Sequence, residues 1–316
     1  MARLLSLVLV LGIVSLLTFT LMHAVPGGPF DETDQRLPPV AKANILHKYG
    51  LDQPVWRQYL NYMGNVLRFD FGVPYQQPTT TVSALIAQTW LVTAQIGLMT
   101  IILSFSLGLT VGTLAAYHQN SWLDNTITFG AMLGITLPNF VVAYWLILIF
   151  SVRLALLPSG GWSEPDHWLI PGVFSADWIL PVVAYSLAPF SLVARYTRAS
   201  VVENLRSDYV RTARAKGLTE RTLVGRHIFK NSLIPMITAL GPEIPNLLTG
   251  SIFIESIFRL PGLGKFFVTS AFNRDYPMIM ALVLIVALLW GLTYLLTDLL
   301  YTWLDPRVRL GARSET

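Results

Sequence analysis

Apolar residues in this chain fall into long unbroken runs separated by shorter polar segments, and the length of each run decides what it can form. Leu4–Met22 follows Arg3 without a single charge. At about 1.5 Å of rise per residue it is long enough to cross about 30 Å of hydrocarbon. A cleaved leader is the competing reading, because the positive start is short and small residues follow. The length of the run and the Pro26-Gly27-Gly28-Pro29 sequence after it favour a retained span. Further apolar stretches predict helices over about Leu91–Tyr117, Ile127–Leu157, Ile179–Ala194, Leu233–Ile257 and Met278–Leu304. The pattern is that of an all-α polytopic membrane protein with six transmembrane helices.

Small residues and prolines mark how the spans pack and bend. Gly108 and Gly112 in the second span match the small-xxx-small spacing that lets two helices approach closely. Pro138 predicts a kink in the third span, with the freed carbonyl satisfied by neighbours. Pro181 and Pro189 interrupt the fourth span, and Pro235, Pro242 and Pro245 the fifth. Trp162, Trp168 and Trp178, between the third and fourth spans, suit an interfacial aromatic belt. The segment 31–90 is the one long polar stretch, with ordinary turn and capping residues at Leu51-Asp52-Gln53-Pro54 and Phe69-Asp70-Phe71-Gly72. The expected organisation is a first helix over 1–30, a small extramembranous subdomain over 31–90, and a five-helix core over 91–316 containing a polar loop at 195–231.

Composition agrees with the run lengths. Hydrophobic residues make up 53% and charged residues 13%, where a soluble domain carries about a quarter charged. Cysteine is absent, which excludes disulfide and thiolate chemistry. The net charge of +4 does not point to nucleic acid, because the cations cluster in loops between apolar spans. The loop 195–231 holds Arg195, Arg198, Arg206, Arg211, Arg214, Lys216, Arg221, Arg226 and Lys230 against Glu203, Asp208 and Glu220. Such an excess marks the cytoplasmic side, and with Arg3, Arg307, Arg309 and Arg313 it places both termini there. Within the loop, Val201–Lys216 lacks Pro and Gly and predicts a helix. Gly217 suits the left-handed position past its end, and Thr219 suits the cap of a second helix running through Arg226. Charge alone equally allows a solvated loop resting on anionic lipid.

The run Tyr209-Val210-Arg211-Thr212-Ala213-Arg214-Ala215-Lys216-Gly217-Leu218, with Arg221, His227 and Asn231 to Pro235 behind it, resembles the cytoplasmic coupling loop of permease subunits of ABC importers, in the peptide branch. Glu255-x-x-Phe258, Pro261-Gly262-Leu263-Gly264, Arg274-Asp275-Tyr276-Pro277, Asp298-x-x-Tyr301 and Asp305-Pro306-Arg307 are similar to motifs of the oligopeptide permease B-type subunit. Arg211-Thr212-Ala213 stands where the wider family opens Glu-Ala-Ala, His227 and Lys230 stand in place of Ile and Pro, and Tyr294 stands where relatives have Asn. The resemblance implies a type I importer fold in a bacterial inner membrane. It also implies a second homologous permease, two cytoplasmic ATPase subunits and an external substrate-binding protein as partners, beside membrane lipid. ATP and magnesium would then sit on the partner subunits, with no cofactor in this chain. Arg211, Thr212, Ala213, Arg214, Ala215, Lys216, Gly217, Leu218 and Arg221 are the implied ATPase-coupling residues, Ala213 and Ala215 being small enough for close approach.

No catalytic constellation stands out. There is no His-Glu-x-x-His, no Gly-x-Ser-x-Gly and no phosphate-binding loop. His23, His47, His118, His167 and His227 are too scattered to predict a metal site. Glu243 is the informative acid, because a charge inside a span costs about 2.5–3.5 kcal/mol on insertion scales. Either it faces the substrate pathway, or backbone freed by Pro242 and Pro245, or a partner subunit, satisfies it. Asn246, Thr249 and Asn139 are further pathway candidates, and Glu255 with Arg259 a candidate external gate. The expected function is import of peptides by alternating access. The alternatives are the same machine carrying nickel, glutathione or oligosaccharide, or a secondary transporter, which would show several ionisable groups across its spans.

Overall fold

The computed structural model describes residues 2–30, 39–162, 175–223, 228, 232 and 241–304. Every regular element among them is helical. The helices are α1 (Ala2–Ala24), α2 (Pro39–Lys48), α3 (Val55–Val66), α4 (Val82–Tyr117), α5 (Trp122–Thr136), α6 (Asn139–Leu146), α7 (Ile179–Leu205), α8 (Asp208–Ala215), α9 (Glu220–Leu223), α10 (Glu243–Thr249), α11 (Ile252–Ile257), α12 (Gly264–Phe272) and α13 (Tyr276–Leu304). Among the described residues, four helices are long and apolar enough to cross a membrane: Arg3–Ala24, Val82–Tyr117, Ala176–Leu205 and Tyr276–Leu300. A fifth crossing is formed if α5 and α6, with the π-helical turn Ile147–Arg153 that continues α6, act as one broken span.

Two compact units emerge, one of 1–93 with 261–291, the other of 94–260 with 292–316. In the first, α1 lies against α3 through a hydrogen bond of 2.9 Å between Ser15 Oγ and Tyr59 Oη. Gln58 reaches back from α3 to donate to the carbonyls of Leu51 and Gln53. Val82, Ile86, Leu263, Met278, Ala281 and Leu282 form an apolar cluster around the starts of α4 and α13, and Thr93 Oγ1 accepts a 2.8 Å bond from the Leu263 amide. The turn expected at Phe69–Gly72 forms as an Asx turn, Asp70 Oδ1 accepting from the Gly72 amide at 2.9 Å, with Gly72 at φ +81°.

The second unit is organised by glycine contacts along α4. A Cβ at Gly108 would meet Val193, and one at Gly112 would run into the Ala194 carbonyl, so both predicted small residues face α7. Gly97 in the same helix leaves no room for a Cβ beside the Leu247 carbonyl of α10. Ser104 Oγ donates across this contact to the Ser186 carbonyl at 3.2 Å, as polar groups between apolar helices must.

Several expected boundaries shift. The second span begins nine residues early because Val82 and Ile86 belong to the buried cluster and extend the helix. The third span is bent by 104° at Leu137–Pro138, far beyond a simple kink, because Pro138 ends one helix and caps the next in extended conformation. The fourth helix does not stop at Ala194 but runs to Leu205, its Pro189 tolerated inside. Trp178 is not part of an interfacial belt: it is fully buried and stacks on Trp162 at 4.9 Å, while Trp168 lies outside the described residues. Of the predicted fifth span, 233–240 lie outside them as well, and the remainder is two short helices parted at Gly250, φ +89°.

The glycine contacts predict a contrast measurable by thermal unfolding in detergent. Gly112→Leu should lower stability by about 1–3 kcal/mol through overpacking against the α7 backbone. Gly130→Ala, where a Cβ meets nothing within 4 Å, should be neutral or stabilising, since alanine is the better helix former.

Candidate functional site

The basic loop is built on the last three turns of α7. Arg198 donates through Nε and Nη2 to both carboxylate oxygens of Asp124, at 2.5 and 2.6 Å. Asp124 is 1% exposed and also accepts from the Asn120 amide at 2.9 Å. One turn further along α7, Val201 joins Ala116, Val210, Ala213, Leu223 and Ile228 in a buried apolar cluster. At the end of the helix, Asn204 Nδ2 donates to the Ser200 carbonyl and to Ser232 Oγ, and Tyr209 Oη donates to Asn204 Oδ1 at 2.6 Å. Ser200 Oγ donates to the Ser232 carbonyl at 3.3 Å.

The chain then breaks. Val201–Lys216 is not one helix: α7 ends at Leu205, Ser207 adopts extended φ/ψ of −71° and 150° as the cap of α8, and α8 starts at Asp208. Burying Val201 and Val210 in one cluster demands this reversal, which a continuous helix could not make. Gly217 takes the expected left-handed conformation at φ +79°. Thr219 Oγ1 accepts from the Thr222 amide at 3.4 Å, as predicted for a cap, and α9 follows through Leu223. Residues 224–227 and 229–231 lie outside the described set, so Arg226, His227 and Lys230 are not placed.

The coupling candidates separate by face. Arg211, Thr212, Arg214, Ala215, Lys216 and Gly217 are exposed, Leu218 is half-buried, and Arg221 lies on α9. Ala213 is different: it is 9% exposed and packs into the chain's own cluster, so its methyl supports the loop from beneath. Arg214 forms a two-pronged pair with Glu220, Nε to Oε1 at 2.8 Å and Nη2 to Oε2 at 3.3 Å, tying α8 to α9. The hydrogen bonds from Arg214 hold the Glu220 carboxyl below the usual glutamate range. Its contribution is therefore present above the unfolded-state value and fades as pH falls through the folded one. Arg206 Nη2 donates to Gln119 Oε1 at 3.2 Å, anchoring the break to the turn after α4.

The pathway candidates occupy the middle of the same unit. Glu243 stands half-buried in the first turn of α10, where a carboxylate meets the positive end of the helix dipole. Asn246 is exposed, and its carbonyl accepts from Tyr185 Oη of α7 at 3.1 Å and from Thr249 Oγ1 at 3.0 Å. Asn139 opens α6 just past the bend. Phe140 beside it meets Phe253 of α11, ring centroids 5.5 Å apart. The bend and the break at Gly250 thus lie on adjoining helices. Of the gate candidates, Glu255 is 5% exposed in α11 and Arg259 is exposed just past its end, at φ +53°. Among the described residues, no group of His, Asp and Glu has the geometry of a metal site.

Sequence reasoning missed Asp124. It ends the short turn His118–Asp124, which has no Lys or Arg, and its partner lies 74 residues away. The available signal was a carboxylate at the edge of a span, which must find a cation. Asp124→Asn should leave the Arg198 guanidinium without its counter-charge and cost about 3 kcal/mol, discounted for the partial exposure of Arg198. Asp124→Leu combined with Arg198→Met should recover much of the loss. Thermal melts of the parent and the two variants in one detergent decide it: equal melting points for the single and double variants would remove the pair from the structural account.

Comparison with known proteins fits this architecture. Residues 108–310 match the family model for the binding-protein-dependent transport system inner membrane component, and residues 1–84 match the N-terminal model of such membrane components. The chain is 38% identical over 302 residues to the dipeptide transport system permease protein DppB of Bacillus subtilis (strain 168), covering 96% of this chain and 94% of that one. It is 39% identical over 293 residues to the oligopeptide transport system permease protein OppB of Salmonella typhimurium, covering 93% of each. In fold it matches the MetNI methionine ABC transporter in an inward-facing conformation, with TM-score 0.57 at 16% identity, over 70% of this chain and 96% of that one. The chain therefore belongs to the family of binding-protein-dependent transport system inner membrane components, the permease subunits of ABC importers.

Proposed function

We propose that this chain translocates peptides as one of two homologous permease subunits in an ATP-driven importer. The peptide substrate rests on the dipeptide and oligopeptide permeases it resembles over nearly its whole length. Two cytoplasmic ATPases, which carry the ATP and magnesium, engage the exposed face of α8 and the Gly217 turn. An external binding protein delivers the substrate, and the basic loop and both termini lie in the cytoplasm of a bacterium.

The observation that carries this reading is a division of labour within 208–223. Val210, Ala213 and Leu223 seat the loop on α7, while Arg211, Thr212, Arg214, Ala215 and Lys216 present cations and small side chains outward. An acidic cleft on a partner has both a surface to meet and a rigid body to push. Displacement passes through α7 to Tyr185 and so to α10, where Glu243, Asn246 and Thr249 border the proposed route. Rigid-body rocking of such helices is an ordinary form of alternating access.

The test is reconstitution with the partner subunits. Arg211→Glu with Lys216→Glu should abolish recovery of the ATPases on the tagged chain and lower peptide-stimulated ATP hydrolysis at least tenfold. The melting point of the isolated chain should stay put, since both residues are exposed. Undiminished recovery would remove the docking role. Glu243→Gln should shift the order of preference among peptides with and without a free amino terminus; an unchanged order would take Glu243 out of the pathway.

A further inference from the structure

The first compact unit contains a half-open cavity of about 200 Å³, lined by none of the residues assigned to the route. Its wall is aromatic. Phe19 and His23 from the end of α1, Tyr49 from the turn after α2, Tyr62 from α3, Tyr75 from the loop before α4 and Tyr276 from the start of α13 all line it. The rings touch in sequence. His23 stacks on Phe19 at 4.2 Å and meets Tyr276 at 4.8 Å, while Tyr75 packs edge-on to Tyr49 at 4.9 Å and to Tyr276 at 6.1 Å. The space persists between large side chains drawn from five separate segments.

Among the described residues no Lys or Arg lines the cavity, and Lys48 Nζ already lies 5.7 Å from the centroid of its Tyr49 ring. Burial pushes the Tyr62 and Tyr75 phenols up, and the negative charges of Asp70 on Tyr62 and Asp275 on Tyr75 add to this. Asp275 is 3% exposed before the start of α13; burial pushes its carboxyl up, opposed by amide bonds to its oxygens from Gln76 at 3.5 Å and Met278 at 3.4 Å. Gln58, Asn61 and Asn65 supply amide groups along the same wall. A cavity lined by aromatic rings and amide groups, with two carboxylates close enough to act on its tyrosines, suits a positive ligand, since aromatic faces stabilise ammonium groups.

We infer that this cavity is a binding site for an organic ammonium group, held by Tyr49, Tyr62, Tyr75 and Tyr276 under the field of Asp70 and Asp275. The ammonium group belongs either to a lipid headgroup or to a dissolved cationic solute, and both have the same chemistry at the rings. His23 completes the wall beside Phe19. The reading of this site does not depend on the substrate assigned to the peptide route.

Choline is the probe and 3,3-dimethyl-1-butanol its neutral isostere, titrated onto the purified full chain in detergent and followed by ligand-observed NMR. Choline should bind and the alcohol should not. Tyr75→Leu should weaken choline about tenfold, the scale of a desolvated cation–π contact. Asp70→Asn, which keeps the oxygen that bonds the Gly72 amide, should weaken choline several-fold while its melting point matches the parent. Nanodiscs then separate the sources. If phosphatidylethanolamine discs suppress choline binding and phosphatidylglycerol discs do not, the occupant is the lipid headgroup. Equal binding in both identifies a soluble cation. Equal affinity for choline and the alcohol, or no binding of choline in detergent and in phosphatidylglycerol discs alike, overturns the proposal.

Discussion

Asp124 cannot be buried at the edge of a hydrocarbon layer without a cation, and much of the second unit follows from supplying one. A lone carboxylate there would be costly, and an incompletely paired one little better. Arg198 meets it with two parallel N–H···O bonds, the geometry a guanidinium makes best. To deliver that guanidinium, α7 must remain helical well past its apolar part. Once it does, Val201 and Asn204 follow on nearby turns, one seating the apolar underside of α8 and the other fixing Tyr209 and Ser232. The pair, the cluster and the polar stitch are thus consecutive uses of one helix, and the loop inherits its position from all three.

The same solvent explains where the helices break. Inside a bilayer an irregular backbone persists only where protein or a water-filled cavity satisfies it. The two sharp interruptions, at Pro138 and Gly250, lie in helices that touch through Phe140 and Phe253, and the intact α7 packs beside them. Tyr185 shows how the freed groups are met, its hydroxyl reaching the Asn246 carbonyl near the end of α10. Breaks gathered in one place suit a lined route better than scattered kinks would, since each supplies unpaired polar groups to the same neighbourhood.

What could be read from the chain alone follows from which signals are local. Run length is local, so the first, second, fourth and sixth apolar stretches emerge as long helices. Glycine spacing is local too, and Gly108 and Gly112 do face α7. Turn chemistry at Asp70–Gly72, Gly217 and Thr219 also survives intact, because each residue acts on its own backbone. Non-local facts were not legible. The extension of α7 to Leu205 depends on Asp124 and on the cluster beneath α8, neither encoded in helix propensity. Ala213 reads as a small docking residue until Val210, three positions earlier on the same face, turns it inward. Trp178 reads as an interfacial anchor until Trp162 covers it. In the loop, the identity of the cations was visible, but which of them are committed to internal pairs was not.

That last distinction bears on how motion would pass through the chain. A lever must be stiff along its length and joined firmly to what drives it. At about 1.5 Å per residue, the 27 residues of α7 reach about 40 Å, and its foot is held by a bidentate ion pair, a close-packed cluster and a set of hydrogen bonds. Packed interiors transmit displacement rather than absorb it, so α8 and the last turns of α7 move as one body. Arg214 is engaged with Glu220 at 2.8 Å and stiffens the α8–α9 junction, whereas Arg211, only 3.5 Å from the exposed Asp208, and Lys216 stay exposed on the outer surface. The loop therefore divides its charges into those that hold it rigid and those available to a partner. In the proposed importer, a partner's push on the second group would reach α10 only because the first group prevents the loop from folding away beneath it.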